Sequence, residues 1–360
     1  MKDPAKDLQH HQMDSQSDSA AKERYSRQIL FPGIGEQGQK ALQLKHALII
    51  GVGALGTANA EILARSGVGR ITLADRDYVE FSNLQRQQLF TEQHAVDRIP
   101  KAAAAKDRLQ AVNSDITIEA HIMDVNAETL EGLAAGVDLI IDATDNFETR
   151  MLINDVAMKY AIPWIYGACV ASYGISMAIL PKVTPCLHCL LETIPQAGAA
   201  TCDTAGIIAP TVQMVVAHQS AEALKILSGN LDAVQKKLVS FDLWNNQYTK
   251  IGLSSAKKSD CPSCGEHPSF PFLQWENRTK TAVLCGRNTV QIRPGKLFST
   301  DFSELCSRFR ALGIECEENP FLLSFQAEDY RVVLFKDGRA LIHGTKDIER
   351  AKTVYHRFIG

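Results

Sequence analysis

Three groups of residues in this chain have the types and spacing to do chemistry. The first is Gly51-Val-Gly53-Ala-Leu-Gly56, entered from the apolar run 47–50. An amphipathic segment follows, then a second apolar run, 71–74, that ends at Asp75. Strand, glycine turn, helix, strand and acid in that order form a βαβ unit that binds a nucleotide. Gly51 permits the tight turn, Gly53 lets the backbone approach a phosphate, and Gly56 lets the helix pack on the strand. The helix N-terminus offers free N–H groups and the positive end of its dipole. Asp75 stands where a carboxylate accepts from ribose hydroxyls. The second group is Ser82, Asn83 and Arg86, with Lys101 fifteen residues beyond Arg86. A dinucleotide needs little charge beyond the helix end, whereas the three phosphates of ATP need cations, which Arg86 and Lys101 can supply. The third group is Cys186-x-x-Cys189 and Cys261-x-x-Cys264, with 71 residues between the pairs. Four thiolates suit tetrahedral Zn²⁺ with no open position, hence a structural site.

Those residues need a scaffold, and the sequence indicates an α/β one. The run Val137 to Ile141 is almost wholly apolar, as a buried parallel strand should be. It ends in Asp142-Ala-Thr-Asp145-Asn146, on the same sheet edge as the glycine turn. A carboxylate there can hold Mg²⁺ bridging ATP phosphates. The competing role for Asp145 is to cap the helix starting near Phe147. A helix from Pro100 to Val112, a strand from Ile116 to His121 and a helix around Glu128 to Leu133 continue the alternation of a parallel sheet. Pro100 suits a first helical turn, which presents Lys101 near the strand ends. Residues 160 to 181 read as a hairpin, so the sheet is expected to turn antiparallel there. Glu192 to Gly206 is rich in Gly, Ala and Thr and is expected to be a mobile loop. A helix then runs from about Ile208 to Leu227, ending at Gly229, with Cys202 shortly before it, where the dipole lowers a thiol pKa. Leu238 to Leu253 reads as a further hairpin turning at Asn245-Asn246. The fold class expected is therefore a Rossmann-like, mostly parallel sheet continuing into antiparallel strands, with a small C-terminal α+β domain.

That last domain spans about 281 to 360. Strand-like Ala282 to Ile292 precedes a helix opened by Thr300 and Asp301 and closed by Gly313. Strands follow at 321–325, 330–335 and 339–342, with a turn at Lys336-Asp337-Gly338-Arg339. Thr345 is expected to cap a final helix from Lys346 to Phe358, with the helices on one face of the sheet. Residues 1–20 are too polar to order themselves, 21–268 form the nucleotide domain, and 269–280 read as a linker.

The ordered motifs GVGALG, ADRDYVEFSNLQRQ, IPKA and DATDNFETR resemble those of the ThiF/MoeB/HesA adenylyltransferases, relatives of the ubiquitin-activating enzymes. The resemblance covers roughly Arg24 to His267; Ala54 stands where the family usually has a third glycine. It implies ATP-dependent adenylylation of the C-terminal Gly-Gly carboxylate of a ubiquitin-like sulfur carrier. The carrier is of ThiS type, in thiamine thiazole synthesis, or of MoaD type, in molybdopterin synthesis, and the resemblance is greatest to the ThiF branch. It implies that Arg27, in RYSRQ, reaches across a homodimer interface to the ATP phosphates. It implies that Asp145 holds Mg²⁺, that Asn146 lies in the nucleotide site, and that Cys202, in TCDTAG, either links covalently to the carrier or is an inert thiol.

Composition bounds these readings. The chain has 360 residues, 45% of them hydrophobic and 22% charged, ordinary for a soluble globular protein. A net charge of −3 argues against general nucleic-acid binding. No run of eighteen apolar residues suggests a membrane span, and the N-terminus lacks a signal-peptide core. Nine cysteines, four in the paired knuckles, suggest a reducing cytoplasm and metal rather than disulfides. Cys169, Cys285, Cys306 and Cys316 read as ordinary thiols. An NAD-dependent oxidoreductase is the rival on the same βαβ frame, but no proton-relay His or Tyr–Lys pair appears in the second half.

Overall fold

Apolar runs bounded by glycine corners and acids set the strands, and the alanine-rich amphipathic stretches between them set the helices. The computed structural model describes residues 23–191, 202–274, 281–284, 288–293 and 301–359. In chain order the first part comprises α1 (23–29), α2 (Gly35–Gln43), β1 (His46–Ile50), α3 (Ala54–Arg65), β2 (Arg70–Asp75), α4 (Glu92–Val96), α5 (Lys101–Val112), β3 (Thr117–Ile122), α6 (Ala127–Leu133), β4 (Leu139–Asp142) and α7 (Phe147–Lys159). It continues through β5 (Trp164–Val170), β6 (Tyr173–Ile179), α8 (Leu187–Leu190), α9 (Cys202–Ala205), α10 (Ala209–Leu227), β7 (Lys237–Asp242) and β8 (Gln247–Gly252). The eight strands form one sheet in the order β3-β2-β1-β4-β5-β6-β7-β8. Pairing is parallel from β3 to β5 and antiparallel from β5 to β8, as the two hairpins in the sequence anticipate.

The pleat sorts each central strand between two cores. Ala47 and Ile49 of β1 join Ile71 and Leu73 beneath α3, α5 and the end of α10. Leu48 and Ile50 face the other way, with Ile140 and Trp164, onto α6 and α7. All five β1 residues are buried, which is why this strand reads as an unbroken apolar run. Strands β1, β2 and β4 therefore end side by side, and their carboxyl ends carry the glycine corner, Asp75 and Asp142.

The second part is a six-stranded antiparallel sheet, ordered β11-β12-β13-β14-β10-β9, with two helices. Its elements are β9 (Thr281–Leu284), β10 (Thr289–Ile292), α11 (Phe302–Ala311), β11 (Cys316–Glu318), β12 (Leu322–Ala327), β13 (Tyr330–Phe335), β14 (Ala340–His343) and α12 (Ile348–Phe358). Both helices lie on one face, packing Phe309 and Val354 onto Phe325, Val332 and Leu334. The opposite face, with Leu322, Val333, Phe335 and Leu341, packs on Tyr78 and Ile122 of the first part. Polar contacts frame that junction: Tyr78 Oη lies 3.1 Å from His343 Nε2, and Asn319 Nδ2 donates to the Asp97 carbonyl at 2.9 Å.

Several local expectations are corrected. The stretch 282–292 is not one strand but an antiparallel pair, with Leu284 opposite Thr289. Asp347, not Thr345, caps α12, because its carboxylate accepts from two amides of the first turn while the Thr345 hydroxyl accepts from Asp347 N–H. Asp301 caps α11, its carboxylate accepting from Ser303 and Glu304 N–H, while Thr300 lies outside the described residues. Residues Pro271–Leu273, read as linker, form a 3₁₀ turn on the first core, where Phe272 N–H donates to Asp155 at 2.9 Å. Cys306 and Cys316, read as ordinary thiols in a chain without disulfides, are joined in a disulfide between α11 and β11. The expected disordered tail at 1–20 and most of the 192–206 loop lie outside the described residues. Among the described residues no helix is long and apolar enough to cross a membrane.

Candidate nucleotide site and metal centre

The glycine corner is built by close approach of backbone to backbone. Gly51 has φ +89°, and a Cβ there would lie 2.5 Å from the Ala143 carbonyl oxygen. A Cβ on Gly56 would lie 2.0 Å from the Gly51 carbonyl oxygen, so only glycine lets α3 sit this close to β1. Gly53 differs: nothing but the end of Gln87 comes within 4 Å of its Cβ position, which leaves its backbone open to a ligand. Helix α3 begins at that point with no side-chain cap, so its first N–H groups have no protein side chain to satisfy them. An uncapped, open helix start behind a glycine corner is an anion site.

Asp75 braces the corner. Its Oδ2 accepts from Val52 N–H at 2.5 Å and its Oδ1 from Asp77 N–H at 2.7 Å. Burial raises its pKa, against the pull of Lys101. Lys101 opens α5, is only 3% exposed, and places Nζ 3.4 Å from Asp77 Oδ2. Arg86 is half-buried and, among the described residues, donates to the Ser82 carbonyl at 2.9 Å. Asn83 is buried, and its Oδ1 accepts from Glu80 N–H, so its acceptor supports the SNLQR turn. Its Nδ2 donates to Ser82 Oγ at 3.4 Å.

Beyond β4 the two carboxylates separate in role. Asp142 is fully buried and bound by Thr144 and by Arg150 Nε at 3.1 Å. Asp145 does not cap α7; that falls to Asn146, whose Oδ1 accepts from Thr149 N–H at 2.9 Å. Among the described residues Asp145 receives an Asn146 amide at 3.4 Å, and it is exposed. Arg27 is exposed on α1, whose inward face uses Tyr25, hydrogen bonded to Asn113. Among the described residues of one chain no hydrogen bond or ion pair joins Arg27 to the glycine corner. The sequence reading passed over Asp77, Asp124 and Arg150, which tie the charged groups together. The spacing of Asp77 two residues after Asp75 was the available signal for one of them.

The paired cysteines do meet. Their sulfurs all lie within 4.8 Å of one another, with Cys186 to Cys261 at 3.6 Å and Cys189 to Cys264 at 3.4 Å. Four sulfurs around a tetrahedral ion at metal–sulfur distances near 2.3 Å stand about 3.8 Å apart, so the cluster fits a metal ion. Hydrogen bonds from Cys186 and Cys189 hold the Cys264 thiol down to about 5, while burial raises Cys261 to about 11. A support shell is present: His188 Nδ1 lies 2.9 Å from Ser263 Oγ, which donates to Asp155. Cys202 begins α9, a four-residue helix of its own, rather than preceding α10 by a loop; its side chain lies outside the described residues.

Comparison with known proteins agrees with this geometry. The ThiF family model matches residues 25–263. The chain is 54% identical over 337 residues to the sulfur carrier protein ThiS adenylyltransferase of Bacillus subtilis (strain 168), covering 94% of this chain and 99% of that one. It is 39% identical to the Escherichia coli (strain K12) protein of the same name, over 69% of this chain and 97% of that one. The molybdopterin-synthase adenylyltransferase of Salmonella typhimurium is 34% identical, over 68% of this chain and 96% of its own. A crystal structure of E. coli MccB with MccA-N7isoASN has the same fold, with TM-score 0.59 and 23% identity over 67% of this chain and 75% of that one. With the matched family model spanning the glycine corner, the cations and both cysteine pairs but for the last residue, the chain belongs to the ThiF family.

Proposed function

We propose that this protein adenylylates the C-terminal Gly-Gly carboxylate of a ThiS-type sulfur carrier, using ATP and releasing pyrophosphate. One observation carries this reading: the likeness to the Bacillus ThiS adenylyltransferase runs through the C-terminal module, across 94% of the chain. The same reaction on a MoaD-type carrier is not favoured, since the molybdopterin-synthase relative is 34% identical against 54% and 39% for the two ThiS adenylyltransferases. An NAD-dependent oxidoreductase is not favoured either, because the named relatives are adenylyltransferases.

A carboxylate is a poor electrophile until it carries a good leaving group. A carrier carboxylate oxygen bonds to the α-phosphorus of ATP, and the bond from that phosphorus to the oxygen bridging the β-phosphorus breaks. Pyrophosphate leaves with the electron pair, and AMP stays on the carbonyl. The nucleophile is already ionised, so no protein base is needed and catalysis is positioning and electrostatics. Gly51, Gly53 and Gly56 with the bare α3 start hold phosphate, and Asp75 meets the ribose. Ser82 and Asn83 shape the turn that presents Arg86, while Arg86 and Lys101 neutralise developing charge. Asp145, with Asn146 beside it, would hold Mg²⁺, which when bound neutralises further phosphate charge. Cys186, Cys189, Cys261 and Cys264 would hold a structural Zn²⁺. Arg27 acts across a homodimer: Leu30, Phe31 and Leu44 are 61–85% exposed around it, an apolar face suited to a second copy. Cys202, in TCDTAG, would bond covalently with the carrier, and the protein would act in the cytoplasm.

The test is to mix the protein with ATP–Mg²⁺ and each carrier and to seek the acyl-adenylate by mass spectrometry. An adduct on the ThiS-type carrier is expected. An adduct on the MoaD-type carrier alone, or on neither, overturns the reading.

A further inference from the structure

The C-terminal module meets the first domain at one end of the nucleotide edge. Sheet order puts the glycine corner after β1, Asp75 at the end of β2 and Asp124 just beyond β3. A nucleotide with its phosphates at the corner and its ribose at Asp75 directs its base toward β3. The residue following Asp75 is Arg76. Its Nη1 donates to Asp124 Oδ1 at 3.3 Å, and its Nε stands 3.9 Å from Asp77 Oδ1. Asp124 is held from the other side by the module: Gln291 Nε2 donates to it at 2.5 Å, and Arg293 pairs with it. Gln291 is fully buried on β10. Behind them Arg339 lies in the junction, 2% exposed, with its guanidinium 3.8 Å over the Phe335 ring. Its charge adds to those of Arg76 and Arg293 around Asp124. The edge of the Arg76 guanidinium is thus committed to carboxylates. Among the described residues no aromatic ring lies over its flat faces, and the side chain is 20% exposed.

We propose that the C-terminal module builds the base end of the nucleotide site, fixing Arg76 through Asp124 as a planar shelf on which the purine of ATP stacks. A guanidinium hydrogen bonded at its edge is oriented for stacking at its face, a role that lysine cannot fill. Arg76 touches the substrate; Asp124, Gln291 and Arg293 are positioning residues that act through it. This inference rests on the adenylylation reading and adds what the module contributes to it.

The experiment uses the full chain and carrier-dependent pyrophosphate exchange, with adenosine and tripolyphosphate as separate competitive probes of the two ends of the site. Arg76→Met and Arg293→Met are expected to raise KM for ATP and the adenosine inhibition constant together by roughly five- to tenfold, the range of a cation–π contact. The tripolyphosphate constant and kcat should change less than about twofold, because the phosphate end does not touch this contact. Arg293→Lys, which keeps the charge beside Asp124, should recover part of the loss. Lys352→Gln, on exposed α12, is the control and should behave as wild type. Adenosine and tripolyphosphate constants rising in step would mean general disorder of the site and overturn the proposal. An unchanged adenosine constant in both arginine variants would overturn it while leaving adenylylation standing. Absence of exchange in the wild type would instead remove the reading beneath it.

Discussion

Asp75 commits both carboxylate oxygens to its own chain, one to the corner at Val52 and one to Asp77. On the proposed reading a ribose shares those oxygens, which would make Asp75 both a brace and a ligand. Asn at this position keeps one acceptor and presents an amide N–H₂ where the second stood, leaving a buried backbone N–H without a partner. Asp75→Asn should therefore cost about 1–3 kcal/mol of stability, read as a lowered midpoint in urea, besides weakening ATP. Arg86 is the opposite case. Among the described residues its one side-chain hydrogen bond is to a nearby carbonyl at 2.9 Å, so its removal should cost the fold little. Arg86→Ala should lower pyrophosphate exchange by roughly 10²-fold or more with the unfolding midpoint unchanged. A rate within a few-fold of wild type would take Arg86 out of the transition state.

Two small assemblies carry predictions at the level of elements. The cysteine cluster ties α8 to the segment at Cys261 and Cys264, and through Ser263 and Asp155 to α7. A strong chelator should remove one zinc per chain, counted by native mass spectrometry, and lower the thermal midpoint; Cys264→Ser should lower it without chelator. Retention of the full midpoint after metal loss would show the cluster to be dispensable. The module junction depends on acid–base state through Asp124. Burial pushes that carboxyl up, but the Arg76, Arg293 and Arg339 guanidiniums outweigh it and hold the pKa below the ordinary 3.8. The stability from this depressed carboxylate is present above pH 3.8 and is lost as pH falls through the folded value. Asp124→Asn should flatten that part of the acid unfolding curve below about pH 4. Elements that bury one continuous apolar face were legible in the sequence: β13 runs from Tyr330 to Phe335 as the pattern implies, and α10 starts within a residue of its expected position. What was not legible depends on fine local geometry or on partners distant in sequence. The choice of Asp347 over Thr345 as cap turns on local geometry, the Cys306–Cys316 bond needs α11 and β11 in place, and Asp124 acquires meaning only when β10 docks 167 residues later.

At the scale of the whole molecule, the proposed role of Arg27 implies that one chain would leave the site a cation short. Arg86 and Lys101 stand at the carboxyl edge, whereas Arg27 lies exposed on α1, whose inward contacts run to α5 through Tyr25 and Asn113. None of those contacts brings Arg27 to the corner from within its own chain. A second copy docked on the apolar surface of Leu30, Phe31 and Leu44 would, and a closed two-fold pairing would complete both sites at once. This makes complementation the sharpest test. Arg27→Ala and Arg86→Ala homodimers should each be nearly inactive, since every site lacks one cation. Co-expressed in equal amounts, half of the dimers are mixed, and each mixed dimer assembles one site with both arginines present and one with neither. Exchange activity should then recover to about a quarter of wild type. Were Arg27 to act within its own chain, every site in the mixture would still lack one arginine, and mixing would restore nothing.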